Sequence, residues 1–242
     1  ADSLTDNLGP RELAVGESMR ASAVGSMSTV LNPAGGALNS QLVFEGSFGY
    51  RNQDSASIVA VSACDSTTPI AGCFYYHYLS SEPSLTGMDE KRRLHEGGIT
   101  ASRRISSNLL LGTNTHFFDY NSNVMGEEDV RGYSIDAGLI FQPAPSLSVA
   151  GVGYNLIGTD AVHYPRAVGT GVSLRPGQGS LGLSMDAVWN LDADKGERAG
   201  RYGHPPLTIL LTGLSGSGKT TVAYALERRL FEMGLAVTVL DG

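Results

Sequence analysis

The hydrophobic period of the chain changes near residue 40. Before that point Val15, Met19, Ala23, Val24, Met27, Val30 and Leu31 recur at intervals of three and four. This spacing predicts one short amphipathic helix within Leu13–Leu31. Asn32-Pro33 stops it, because proline disfavours helical backbone in the residue before it. Ala34-Gly35-Gly36 then predicts a tight turn. From Leu42 the period is two. Leu42, Phe44, Phe48 and Tyr50 fall on one face, Glu45 and Ser47 on the other. Ile58–Cys64 and Ala71–Tyr78 predict a hairpin, with Phe74, Tyr76 and Tyr78 alternating on one side. Glu82–Glu96 is charged and reads as a turn. Gly98–Ile105 and Asn108–Phe118 form the next pair, and Ser146–Tyr154 and Ala167–Leu174 are weaker strands. The clearest alternation lies in Gly132–Phe141 and Ser180–Trp189. There Tyr133, Ile135, Ala137, Leu139 and Phe141 oppose Gly132, Ser134, Asp136 and Gly138. Likewise Leu181, Leu183, Met185, Ala187 and Trp189 oppose Gly182, Ser184 and Asp186. The pattern predicts about nine antiparallel strands.

Such a ribbon has one apolar face and one small or polar face. An outer-membrane barrel has that polarity, with lipid outside and a polar lumen inside. A soluble β sandwich or barrel also alternates. Two features favour the membrane form. The inner face is mostly Gly, Ser, Thr, Asn and Asp, too small and polar for a dry core. Charge gathers in the connections, at 89–93, 127–131 and 192–198. The expected fold is therefore mainly β: an incomplete, outer-membrane-type antiparallel barrel over 41–200. It follows an N-terminal segment, 1–40, with its helix and turn.

A third segment, 204–242, follows a different rule. Thr208–Thr212 is a short apolar run of the kind found in a buried parallel strand. Val222, Leu226 and Leu230 then sit at helical spacing on one face. Gly234 is placed to end that helix, and Ala236–Leu240 reads as a second strand. Between strand and helix, Gly213-x-x-x-x-Gly218-Lys219-Thr220 fits the phosphate-binding loop pattern. Gly213, Gly216 and Gly218 leave room for backbone N–H groups to close on phosphate oxygens. The helix beginning at Lys219 adds its positive dipole end. The Lys219 ammonium supplies a mobile charge, and the Thr220 hydroxyl is a ligand for Mg²⁺. This segment is a truncated strand–loop–helix–strand piece of a P-loop α/β fold. Its central strand lacks neighbours, so it is expected to be disordered or to borrow an edge.

The run Gly213-Leu214-Ser215-Gly216-Ser217-Gly218-Lys219-Thr220-Thr221, with Ala223, Ala225, Leu226, Gly234 and Val239-Leu240-Asp241-Gly242, resembles the start of adenylylsulfate kinase. Gly203-His204-Pro205-Pro206 resembles the lead-in to the kinase half of fused sulfate-activating enzymes. The resemblance implies ATP and Mg²⁺ as cofactors and adenylylsulfate as substrate, with phosphoryl transfer to its 3′-hydroxyl. It implies that Gly213 to Thr221 bind the ATP phosphates and that Lys219 acts on them. Asp241 would open an acidic motif beside the metal. The resemblance covers only about forty residues and stops before the family's substrate-binding arginine and lid. The stretch as given is thus not expected to be a competent kinase. Less specifically, the helix ending in Asn32-Pro33-Ala34-Gly35 and the strands to Trp189 resemble the outer-membrane fatty-acid transporter superfamily. That resemblance implies an N-terminal segment packed inside the barrel as a hatch, and membrane lipid as its surroundings.

Charge and composition sharpen this division. Of 242 residues, 24 are acidic and 17 basic, a net charge of −7. His204–Gly242 carries Glu227, Glu232 and Asp241 against Lys219, Arg228 and Arg229, so the acidity lies upstream. Nothing there is a nucleic-acid footprint. Cys64 and Cys73 flank a hairpin loop and are either a disulfide or two packed thiols. His77, His95, His116, His163 and His204 have no metal-ligand spacing and read as surface or lumen residues. Asp136 and Asp186 read as lumen-lining rather than as a catalytic pair, and Ser215 and Ser217 as turn residues. Tyr75, Tyr76 and Tyr78 read as an aromatic girdle.

Three functions stay open: an ATP-binding kinase segment, an outer-membrane pore or transporter for apolar solutes, and a soluble β-rich binding domain. The locations conflict, outer membrane for 1–200 and cytoplasm for the kinase-like segment. The conflict predicts a junction between unrelated sequences near Gly200–His204, with no shared hydrophobic interface.

Overall fold

The computed structural model describes residues 19–51, 55–82, 91–123, 128–157, 164–175, 181–191, 207–213 and 219–233. Ten strands form one antiparallel sheet in sequence order. They are β1 (Leu42–Arg51), β2 (Ala56–Asp65), β3 (Ala71–Ser81), β4 (Arg92–Arg104), β5 (Leu109–Ser122), β6 (Val130–Ala144), β7 (Leu147–Tyr154), β8 (Ala167–Leu174), β9 (Leu181–Asn190) and β10 (Leu207–Gly213). All nine strands expected upstream of residue 200 are present. Among the described residues the sheet is open, with β1 and β10 at its edges.

Its faces are inverted relative to a water-soluble sheet. Phe44 is 75% exposed, Phe48 67% and Tyr133 61%, and Leu139, Phe141, Met185 and Trp189 share that outer face. Ser134, Asp136, Asn114, Thr100, Ser184 and Asp186 are buried on the inner face. Period-two alternation forces this segregation, since successive side chains point to opposite sides.

The inner face is filled by the N-terminal segment. Among the described residues, the short helix expected within Leu13–Leu31 is confined to its last turn. Only α1 (Met27–Val30) is α-helical, followed by a 3-10 turn over Pro33–Ala37; residues 11–18 lie outside the described set. Positive φ at Met19 and Gly25 breaks any longer helix. The three-and-four spacing instead buries Ala23, Met27 and Leu31 as one small cluster. Asn32 caps the 3-10 turn by accepting from the Ala34 N–H at 3.1 Å. Its Nδ2 donates to the carbonyls of Arg20 and Leu139, at 3.0 and 3.2 Å. The strands make room for this turn with glycine. A Cβ at Gly138 would lie 2.0 Å from Asn32 Oδ1, and one at Gly112 2.4 Å from Ala34 N.

The same segment reaches both ends of the sheet. Arg20 donates to Asp186 on β9, and Ser26 donates to Glu45 on β1. Six residues of chain span at most about 20 Å. The sheet is therefore curled around the segment, bringing its two ends near one another.

Two expectations need correction. Glu82–Glu96 is not wholly a turn, because β4 begins at Arg92. Leu94, Glu96, Gly98, Thr100 and Ser102 continue one buried face, so the charges of 92–96 belong to a strand. Tyr75 is not part of an outer girdle. It is buried on the inner face, opposite in phase to Phe74. Cys64 and Cys73 are directly opposed in the β2–β3 ladder and form a disulfide.

Candidate functional site

The phosphate-loop segment begins in the sheet. β10 ends at Gly213, and α2 (Lys219–Glu232) begins six positions on. The structure thus places the pattern's first glycine at a strand end and its Lys219, Thr220 and Thr221 in the opening turn of a helix. Leu214, Ser215, Gly216, Ser217 and Gly218 lie outside the described residues, as do Asp241 and the expected strand Ala236–Leu240. The first turn of α2 contains no acidic residue. Its unpaired N–H groups and positive dipole end are therefore not neutralised from within the helix. A phosphate group fits such a helix start.

The surroundings of β10 differ from the expected parallel sheet. β10 pairs antiparallel with β9, from Leu207 opposite Ala187 to Gly213 opposite Leu181. Within the described residues β10 extends the sheet at its β9 edge. An unpaired strand edge offers N–H and C=O groups to any chain that can extend beside it. The two segments are therefore joined by a backbone ladder. On α2, Leu226 and Leu230 are half-buried as their spacing predicts, and the helix packs on β10. Phe231 remains 73% exposed, with Tyr224 and Met233 also exposed.

The β domain holds a second concentration of polar groups, on its inner face. Asp186 accepts from the Arg20 backbone N–H at 2.8 Å and from Arg20 Nη1 at 3.1 Å. Arg20 Nε donates to the Tyr154 hydroxyl at 2.8 Å, and that hydroxyl donates to the Leu31 carbonyl. Asp136 accepts from Asn114 Nδ2 at 2.9 Å and from the Asn155 N–H at 2.8 Å. The two carboxylates are tied into separate networks, in keeping with a lining role. His116 is buried between Glu96 and Asp136, while His163 and His204 lie outside the described residues. Among the described residues no group of three or more His, Cys, Asp or Glu side chains is arranged to hold a metal ion.

Sequence reasoning did not single out Arg20, Glu96, Asn114 or Tyr164. Glu96 was findable, since it is in phase with Leu94, Gly98 and Thr100. Arg20 and Tyr164 carry no local signal, because their partners lie 166 and 68 residues away.

Comparison with known proteins bears on the C-terminal segment. Residues 205–242 match the model of the adenylylsulphate kinase family. A bifunctional enzyme CysN/CysC of Rhodopirellula baltica is 61% identical over 59 residues, 24% of this chain and 9% of that protein. The adenylyl-sulfate kinase of Shewanella halifaxensis is 50% identical over 58 residues, 24% of this chain and 28% of the relative. That of Vibrio cholerae is 46% identical over 69 residues, 26% of this chain and 32% of the relative. The chain thus spans less than a third of the length of these relatives. No solved structure matches the chain. By sequence, residues 205–242 match the adenylylsulphate kinase family over a stretch that contains the phosphate loop.

Proposed function

We propose that residues 205–242 bind ATP through its phosphates, as the nucleotide end of an adenylylsulphate-kinase module. The observation that carries this reading is the family match over a complete Gly213-x-x-x-x-Gly218-Lys219-Thr220 pattern. The start of α2 at Lys219, with no acid in its first turn, agrees with it. In this reading Gly213 to Thr221 surround the phosphate chain, with Lys219 drawn to the outer phosphates. Thr220 holds Mg²⁺, and Asp241 stands beside the metal. When bound, the metal supplies charge neutralisation of the phosphates. Transfer to the 3′-hydroxyl of adenylylsulfate belongs to the module as a whole, which this segment spans only in part. The direct test is binding of a fluorescent ATP analogue to the full chain with Mg²⁺. Saturable binding is expected, and Lys219→Ala should weaken it at least tenfold, about 1.4 kcal/mol. Absence of binding at millimolar nucleotide would overturn the reading.

A second reading concerns residues 19–191 and rests on a separate observation, the inverted polarity of the sheet. An outer face bearing Phe44, Phe48, Tyr133 and Phe141 around a buried polar interior suits lipid. We propose that this region is a membrane-embedded β domain of the kind that passes apolar solutes. Heat-modifiable migration in detergent and partition into vesicles are its expected behaviour. A monodisperse, detergent-free chain would instead favour a soluble β-rich binding domain.

A further inference from the structure

One row of outward-facing residues carries charge that neither reading uses. The strand ladders set Tyr78 on β3, His95 on β4, Asp119 on β5 and Arg131 on β6 side by side. These positions share the phase of the exposed Ile99, Phe117 and Tyr133, so they stand on the outer face. Arg93 lies two positions before His95 on the same face, opposite Asn121, and is exposed.

The row is ordered by its own contacts. The Tyr76 hydroxyl lies 2.6 Å from His95 Nδ1, and the Tyr78 ring centroid is 4.8 Å from that of His95. Asp119 accepts from Arg131 Nη2 at 2.7 Å and from Asn121 Nδ2 at 3.0 Å. Both carboxylate oxygens are thus engaged within the surface, while the Arg131 side chain stays 69% exposed. A guanidinium held on one edge presents its remaining N–H groups outward as a preset fork, which suits a phosphate.

Next to this row the outer face turns apolar. Between it and Arg103, the outward positions of β3 to β6 hold no charge and include Phe74, Tyr76, Ile99, Phe117, Tyr133 and Ile135. Arg103 is the next outward charge on β4, eight residues after His95. Eight residues of strand rise about 27 Å, or about 21 Å along a bilayer normal at a tilt of about 40°. Arginine side chains reach away from apolar surroundings, so the two charged levels bracket a band of roughly 25 Å, the height that a barrel presents to lipid.

We propose that the row of Tyr78, His95, Asp119 and Arg131, together with Arg93, is a docking surface for the phosphate groups of anionic lipids. It rests on the membrane reading of residues 19–191 and names the part of that face that meets headgroups. The apolar band lies against acyl chains, and Tyr76 and Tyr78 stand at the boundary, where an amphipathic ring is favoured. Arg93 and Arg131, on either side of β5, reach the phosphates. The chain as a whole carries a net charge of −7, so attraction to an anionic surface has to come from a local patch of this kind.

The test compares insertion of the full chain into vesicles of phosphatidylcholine alone and of phosphatidylcholine with phosphatidylglycerol, at a ratio of about 7 to 3. Emission from Trp189, the chain's single tryptophan and part of the outer face, reports insertion. Partition should be several-fold stronger with phosphatidylglycerol. Arg93→Gln combined with Arg131→Gln should weaken partition into those vesicles about tenfold, with partition into phosphatidylcholine and heat-modifiable migration unchanged. Lysine at both positions keeps the charge and should retain most of the preference. Arg104→Gln combined with Arg175→Gln removes the same charge from positions in phase with the inner face, and should leave the preference intact. No insertion into either vesicle defeats the membrane reading, and the docking surface with it. Insertion without a preference for phosphatidylglycerol, or equal loss in both glutamine pairs, overturns the docking surface alone. So does a dimer in detergent that only the Arg93 and Arg131 pair of substitutions dissolves, which would make the occupant a second copy of the chain.

Discussion

The inner face of the β domain and the C-terminal segment are attached to the same sheet in opposite ways. The N-terminal segment is held by side chains whose identity matters: Arg20 on Asp186, Asn32 on Leu139, and a turn that fits only against glycine at positions 112 and 138. The C-terminal segment is held by the β9–β10 ladder, which uses backbone groups that nearly every residue possesses. Side-chain interlock is evidence that two segments were selected together. An edge ladder is not, because any extended chain can supply it.

Three substitutions would break or sharpen this contrast. The largest effect is expected from Arg20→Ala, which leaves the buried Asp186 without its counter-ion. Loss of one partner of such a pair costs about 3–5 kcal/mol. Denaturant unfolding of the β domain should show this, while ATP-analogue affinity stays unchanged; a smaller shift would mean that the pair does not hold the segment, and a parallel loss of nucleotide binding that the regions are coupled. Gly138→Ala should come next, at about 1–3 kcal/mol, because the new methyl collides with Asn32 Oδ1. Its expected signature is selective loss of hydrogen-exchange protection in residues 30–36. Leu210→Pro should have the smallest effect on the β domain. Proline removes a donor from β10 and ends its ladder. Exchange at β9 amides should speed up, with the unfolding midpoint of the β domain moving by less than about 1 kcal/mol. A large drop would show that β10 is integral to the sheet.

The nine strands of the β domain were legible because alternation is a local property. Gly132–Phe141 shows both its faces without reference to any other segment, and its observed burial follows that alternation. Arg92–Glu96 was misread because charge was weighed above phase. Glu96 is charged and nevertheless buried, satisfied by Tyr164 from a distant connection. Residues 19–31 were misread because three-and-four spacing is also what a compact coil needs to put small side chains against a wall. For the phosphate loop, the sequence named every residue of the pattern, while the described structure contributes Gly213 and the opening turn of α2.

The order of amino acids alone determined which residues face the same way along each strand, and where the phosphate-loop pattern begins. Both follow from backbone geometry over a few residues. Only the tertiary structure decided that Arg20 meets Asp186, that His116 stands between two carboxylates, and that β10 lies antiparallel to β9. A strand's own residues make it extend, but its neighbour is whichever free edge the rest of the fold has left open.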